Sequence, residues 1–313
     1  MSGKIVVVGS SNTDLTIKMN KLPKLGETVI GKDYVKSLGG KGANQAVATA
    51  RAGASVTFIT KMGNDEFGNE ALKSFDGEGI NTKNILIDEK SKSGLAMIWV
   101  DSDGENSIAV ASGANANLSA AEIIEKSDEI KSASILLTQL EIPFETVKSA
   151  IDIAHQNNVR VILNPAPAYV LPEDLLAKIN IITPNIYELE TLTGVKSNDA
   201  NDIKYAAKLL HSKGIEQVIV TCGSKGSYLF NKNEFVHLPP FSVDAVDTTA
   251  AGDILNGAFA AALLENKTIK EALVFASAAA AISVTQMGAQ ISAPHKNQIL
   301  EFLAKRSMEV SLQ

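Results

Sequence analysis

Apolar runs and polar breaks divide the chain into stretches of two kinds. From Ser134 onward, short apolar runs at Ile135–Thr138, Val159–Leu163, Ile179–Thr183 and Gln217–Thr221 alternate with longer stretches at Phe144–Asn157, Ile186–Thr193 and Ile203–Ser212. Short runs bounded by turn residues predict strands buried on both faces, and the longer stretches predict the helices that carry the chain back between them. Such alternation implies right-handed crossovers and a parallel sheet. Lys4–Gly9 predicts one more central strand. Tyr228–Phe230 and Phe235–Leu238, separated by Asn231–Glu234, predict an antiparallel edge. Ile254–Leu264, Lys270–Thr285 and Lys296–Lys305 predict closing helices, and the tail after Arg306 is expected to fray.

The pattern changes between Leu15 and Leu38. There Thr16, Lys18 and Asn20 alternate with apolar residues before the breakers Pro23, Gly26 and Gly31. Leu95–Val100 and Ser107–Ala111, joined by Asp101–Asn106, repeat the hairpin pattern. These two pieces, residues 15–38 and 94–112, predict a small antiparallel sheet that forms a lid over a ligand. The rest of 1–313 forms one α/β domain with a large, mostly parallel sheet flanked by helices. A lid sheet of this kind has an uncovered face and edge, so a second copy of the chain is the expected cover, giving a homodimer.

With 313 residues, 45% hydrophobic and 20% charged, the chain is globular. A net charge of −6 argues against a nucleic-acid surface, yet leaves room for a basic pocket that takes a small anion. The single Cys222 excludes an internal disulfide framework and a cysteine-rich zinc site, fits a cytoplasmic setting, and reads as a buried apolar residue. No signal-peptide core precedes the first strand. The longest membrane candidate, Ala272–Val284, is short, alanine-rich and broken by serines, so it reads as a buried helix and no membrane partner is expected.

In open α/β sheets ligands gather at the carboxyl ends of the strands. Asn12 and Asp14 follow the first strand, where they suit sugar hydroxyls or form an ordinary turn. Glu141, Asn164–Pro165, Thr183–Glu188 and Thr221–Gly226 follow later strands. Asn185 and Glu188 fit either a hydrated magnesium ion or a helix capping box. Thr221–Gly226 fits either close approach by a nucleotide or a hairpin turn. Gly39-Gly40-Lys41-Gly42-Ala43-Asn44-Gln45 offers open backbone with donors from Lys41 and Asn44, but it is neither a Walker A loop nor GxGxxG. Glu66-Phe67-Gly68 is not the protein-kinase element, and no His-Arg-Asp loop accompanies it. Asp247-Thr248-Thr249-Ala250-Ala251-Gly252-Asp253 places a carboxylate at a helix start behind small residues. A helix start favours an anion such as a transferring phosphate, and Asp253 beside it is either a general base or a helix cap.

Taken together and in order, these motifs resemble the ribokinase-like carbohydrate kinases of the phosphofructokinase-B type, with Asn164-Pro165-Ala166-Pro167-Ala168, Thr183-Pro184-Asn185 and Gly288-Ala289-Gln290 adding to the match. The resemblance covers nearly the whole chain. It implies ATP-dependent phosphorylation of the 5-hydroxyl of D-ribose, with another small sugar or nucleoside such as 2-deoxyribose as the alternative substrate and a non-catalytic sugar-binding regulator as the alternative class. Asp253 would be the base, and Gly252 with its neighbouring amides would stabilise phosphoryl charge. Asn12, Asp14, Gly40, Lys41, Asn44 and Glu141 would bind the sugar. Asn185, Thr221, Gly223, Ser224, Gly226, Gly252 and Ser277 fall at nucleotide positions, and Glu188 would act on magnesium through water. A monovalent-cation site, potassium by preference, maps to Asp247, Thr249, Ser283, Gln286, Gly288 and Ser292. Ile254-Leu255 and Ser277 depart from residues often found in the family around the nucleotide.

Overall fold

The computed structural model describes residues 3–103 and 105–311. In chain order, β1 (Ile5–Val8) leads into β2 (Asn12–Lys18) and β3 (Asp33–Gly39), then helix α1 (Lys41–Arg51), β4 (Val56–Ile59), β5 (Lys61–Gly63), α2 (Glu66–Gly77) and β6 (Leu86–Asp88). The pair β7 (Gly94–Val100) and β8 (Asn106–Ala111) comes next, followed by α3 (Ala120–Glu125) and α4 (Ser127–Lys131). Regular alternation then runs through β9 (Ile135–Thr138), α5 (Phe144–Gln156), β10 (Arg160–Leu163), α6 (Glu173–Leu176), β11 (Ile181–Ile182), α7 (Ile186–Thr193), α8 (Ala200–Ser212) and β12 (Gln217–Thr221). The chain closes with β13 (Ser227–Phe230), β14 (Phe235–Leu238), α9 (Ala251–Leu264), α10 (Ile269–Ser283) and α11 (Lys296–Ser311).

Eight strands form one sheet in the order β14-β13-β12-β11-β10-β9-β1-β4, parallel except for the β12-β13-β14 edge. Strand period decides its two cores. Ile5 and Val7 face a cluster that takes in Phe259 of α9 and Phe275 of α10, whereas Val6 and Val8 face the opposite cluster with Val147 of α5 and Leu210 of α8. Both faces are covered, so an unbroken Ile-Val-Val-Val run is what this position requires. Phe58 of β4 and Phe75 of α2 meet edge to face at 5.3 Å, tying the sheet edge to a helix that the strand pattern did not anticipate.

A second sheet, β3-β2-β7-β8, stands apart from the first. Its outer pairings are antiparallel, as the two hairpin patterns predict, while the central β2–β7 pairing is parallel. The Asp101–Asn106 connection contains Gly104, which lies outside the described residues. Every residue of β8 is exposed.

Several boundaries differ from expectation. β11 covers only Ile181–Ile182 because the Asn180 side chain, rather than main chain, accepts the Val161 N–H at 2.8 Å, and Pro184 cannot continue the ladder. α9 begins at Ala251, three residues earlier than predicted, once Ala250 turns the chain at φ 59° and accepts the Ile254 N–H. α11 continues to Ser311 where fraying was expected after Arg306. Cys222 is partly exposed rather than buried, because β12 ends at Thr221. Among the described residues no helix is long and apolar enough to cross a membrane.

Candidate active site

Parallel strands all end on one edge, and that edge collects the polar residues. Ser10, Ser11 and Asn12 follow β1, Gln139 and Glu141 follow β9, Asn164 follows β10, and Thr183 follows β11; of these only Glu141 is not fully buried. Above them begins α9. No side chain caps it: the Ala251 N–H donates to the Thr248 carbonyl at 3.3 Å, which leaves the next amide, that of Gly252, open to a ligand. Asp253 lies in its first turn, buried to 6% exposure, while the preceding Gly252 is exposed. A Cβ added at Gly252 would meet nothing within 4 Å, so this amide borders open space.

The structure excludes the cap reading of Asp253. Ala250 occupies the cap position, and the Asp253 carboxylate turns inward to accept a hydrogen bond from Asn44 Nδ2 at 3.0 Å on Oδ2 and from Gln45 Nε2 at 2.9 Å on Oδ1. Asn44 Oδ1, equally buried, has no partner. A buried acceptor of this kind is costly unless something donates to it, so the position is open to a ligand donor.

Lys41 begins α1 through the positive-φ residue Gly40 (φ 87°), where a side chain would collide with the Asn12 amide at 2.7 Å. Its backbone N–H donates to Glu141 Oε2 at 3.0 Å, and Ser10 Oγ donates to the same oxygen. The negative charge of Asp253 raises the Lys41 pKa against the opposing effect of burial, with Glu141 and Glu188 adding to the rise. Asp14, on β2, is pushed up to about 6 by burial and by the charges of Glu141 and Asp253. The sugar-side residues named from sequence therefore converge on one cluster: Asn12, Asp14, Gly40, Lys41, Asn44 and Glu141 surround the approach to Asp253.

On the other side, Asn185 and Glu188 do form the capping box of α7: the Glu188 N–H donates to Asn185 Oδ1 and the Asn185 N–H donates to Glu188 Oε2, both at 2.8 Å. Burial nevertheless raises the Glu188 pKa, and the charges of Lys41 and Asp253 both reach it, so the cap also faces the site. Asn185 bridges to Thr221, which places the ends of β11 and β12 side by side. Gly223 (φ 55°) and Ser224 lie in an exposed turn after Thr221, and Gly226 (φ 85°) closes it. Ser277 is half-buried on α10, and the hydrogen bonds of the described residues do not link it to that turn.

Asp247 joins the two loops mapped to a cation. Its Oδ1 accepts from the Thr249 N–H at 2.9 Å and its Oδ2 from the Gly288 N–H at 2.8 Å; against burial, these bonds hold its pKa low. Ser283 and Ser292 are buried with hydroxyls turned to backbone carbonyls, and Gln286 and Thr249 are exposed. This donor set is oxygen throughout, which suits a hard cation.

Sequence reasoning missed three participants. Asn115, buried at 1% exposure, donates from Nδ2 to Asn12 Oδ1 at 2.8 Å, and its Oδ1 accepts the Ser11 N–H at 2.9 Å. Gln45 was named only as part of a glycine motif, and Asn256 only as part of a helix. Nothing local marks Asn115, because its partner is about a hundred residues away in the chain.

An exposed glycine at an uncapped helix start, with a buried carboxylate beside it at the carboxyl edge of a parallel sheet, suits phosphoryl transfer of the small-molecule kinase class. Residues 2–296 match the pfkB family carbohydrate kinases, and the chain belongs to that family. It is 46% identical over 303 residues to the ribokinase of Haemophilus influenzae, covering 97% of this chain and 99% of that protein. A deoxyribokinase of Salmonella typhi is 38% identical over 301 residues, covering 96% and 98%. The structure of Arabidopsis thaliana ribokinase complexed with ribose and ATP matches with a TM-score of 0.92 at 35% identity, covering 97% of this chain and 99% of that one.

Proposed function

We propose that the protein transfers the γ-phosphoryl group of ATP to the 5-hydroxyl of D-ribose. The observation that carries this reading is Asp253, a buried carboxylate in the first turn of α9, one residue after the open Gly252 amide and in contact with Asn44. Asp253 takes the hydroxyl proton as that oxygen forms its bond to phosphorus and the bond to the ADP oxygen breaks. Gly252 and the adjacent amides hold the phosphoryl oxygens in line. Asn12, Asp14, Gly40, Lys41, Asn44 and Glu141 hold the sugar, with Asn44 Oδ1 accepting a sugar hydroxyl. Asn185, Thr221, Gly223, Ser224, Gly226 and Ser277 border the nucleotide, and Glu188 meets its magnesium ion through water. Magnesium supplies charge neutralisation of the phosphates. The oxygen set of Asp247, Thr249, Ser283, Gln286, Gly288 and Ser292 fits potassium, a large and weakly hydrated ion that would order the loop leading to Gly252.

The four-stranded sheet acts as a lid and as the contact of a homodimer in the cytoplasm. Exposed Tyr34 and Met97 share the face of that sheet opposite Asp14 and support this reading, since a partner sheet would cover them. Identity of 46% to the Haemophilus influenzae ribokinase against 38% to the Salmonella typhi deoxyribokinase favours ribose as the acceptor. The test is turnover on ribose, 2-deoxyribose, fructose and adenosine with ATP, magnesium and potassium present. Ribose should give the largest kcat/KM, and equal use of all four would reject the substrate. Replacing potassium with sodium should lower the rate, and equal rates would reject the cation site.

A further inference from the structure

Asp253 is held by a closed circuit of hydrogen bonds. Gln45, 0% exposed, donates both Nε2 hydrogens, one to Asp253 Oδ1 at 2.9 Å and one to Asn164 Oδ1 at 3.0 Å, while its Oε1 accepts from Gln139 Nε2 at 2.6 Å. Asn164 Nδ2 donates to the Thr183 carbonyl at 3.2 Å, Thr183 Oγ1 donates to Asn256 Oδ1 at 2.7 Å, and Asn256 Nδ2 donates to the Gly252 carbonyl at 2.8 Å. The circuit therefore leaves α9 at Asp253, crosses α1 and the ends of β10 and β11, and returns to α9 one residue earlier. Every side chain in it is buried.

Packing fixes its dimensions. Gly257 lies one turn after Asp253, and a Cβ there would sit 2.6 Å from the Gln45 carbonyl, so α1 and α9 approach at backbone distance. Thr49 Oγ1 donates to the Gln45 carbonyl at 2.6 Å and to the Gly257 carbonyl at 3.2 Å, pinning the same contact. With both amide hydrogens used and its oxygen taken, the Gln45 amide has one orientation.

The two oxygens of Asp253 consequently differ. Oδ1 is bound to a locked amide, whereas Oδ2 is bound to Asn44, whose other amide atom has no partner. We propose that Gln45 is a positioning residue for catalysis: it reserves Asp253 Oδ1 for the scaffold and leaves Oδ2, shared with Asn44, as the oxygen that receives the substrate proton. This rests on the kinase reading above, because it assigns the base of that reaction to one atom.

The test compares Gln45→Met and Gln45→Glu with the wild-type enzyme. Gln45→Met keeps the volume and removes both donors, so kcat should fall about 30-fold while the sugar KM changes less than threefold. Gln45→Glu replaces the amide that donates to Asp253 Oδ1 with a second carboxyl. Two facing carboxyls share a proton, so the acidic limb of the kcat profile should move to higher pH by about one unit, with activity recovering as pH rises. A Gln45→Met enzyme with kcat within twofold of wild type, or a Gln45→Glu loss equal at all pH values, would overturn the assignment. Should either variant fail to fold, a crystal structure of the wild type with sugar and a non-hydrolysable ATP analogue decides. Gln45 Nε2 should remain on Oδ1 with the sugar hydroxyl on Oδ2, and the reverse arrangement sinks the proposal. An inactive wild type would instead remove the kinase reading itself.

Discussion

The carboxyl edge of the large sheet and the four-stranded sheet treat carboxylates in opposite ways. At the edge, Asp253 is buried with both oxygens bonded to amides carried on packed elements. On the smaller sheet, Asp14 is half-buried, accepts no such bond, and is raised to about 6 by burial and by neighbouring acids. The first arrangement is preorganised for chemistry before substrate arrives. The second holds a destabilised charge, which fits the proposed role of this sheet as a lid that closes over substrate rather than one that reacts with it.

The contrast can be broken most forcefully at Asp253. Asp253→Asn preserves shape and should lower kcat about a thousandfold while sugar binding and Tm persist. Steady-state kinetics with calorimetric sugar titration would check this, and near-normal turnover would end the mechanism. Gly252→Ala comes next: the added methyl meets no protein atom, so Tm should hold while kcat drops about a hundredfold through intrusion on the phosphoryl oxygens. An unchanged kcat there would show that the anion lies elsewhere.

Asp14→Asn sharpens the other half of the comparison, with sugar KM rising about tenfold as one charge-assisted bond is lost. Its stability effect has a definite sign. The folded pKa of about 6 exceeds the ordinary 3.8, so the stability contributed by Asp14 is full below about pH 4 and is lost as pH rises through about 6. Ligand-free Asp14→Asn should therefore melt above wild type at pH 8 and match it near pH 4, and scanning calorimetry at both pH values tests the sign. The smallest effect on folding is expected at the lid. Tyr34, 67% exposed on β3 and on the face opposite Asp14, should tolerate Asp at a cost under about 0.5 kcal/mol, yet Tyr34→Asp should turn a dimer into monomer in sedimentation equilibrium. An unaltered dimer would move the interface off this sheet.

Much of this was legible beforehand because strand period and strand-end polarity are local properties. Ile5–Val8 could only be a doubly covered strand, Asn12 stood out as a polar residue at a strand end, and Lys41, Asn44 and Asp253 stood out through residue type near glycine. The β4–α2 unit went unread because its few strand residues lacked a flanking pattern. The parallel β2–β7 pairing could not be read either, since pairing partners far apart in the chain leave no periodic trace.

Apolar spacing and turn chemistry alone determined the doubly covered sheet, the separate small sheet, and the carboxylate set at a helix start, because each follows from neighbours within a few residues. Tertiary structure decided which oxygen of Asp253 faces Gln45 and which Asn44, why Asn12 is clamped by Asn115, and why Asp14 holds its proton to about pH 6. Those outcomes depend on distances between elements up to two hundred residues apart, and only close packing, such as that of α1 on Gly257, sets such distances.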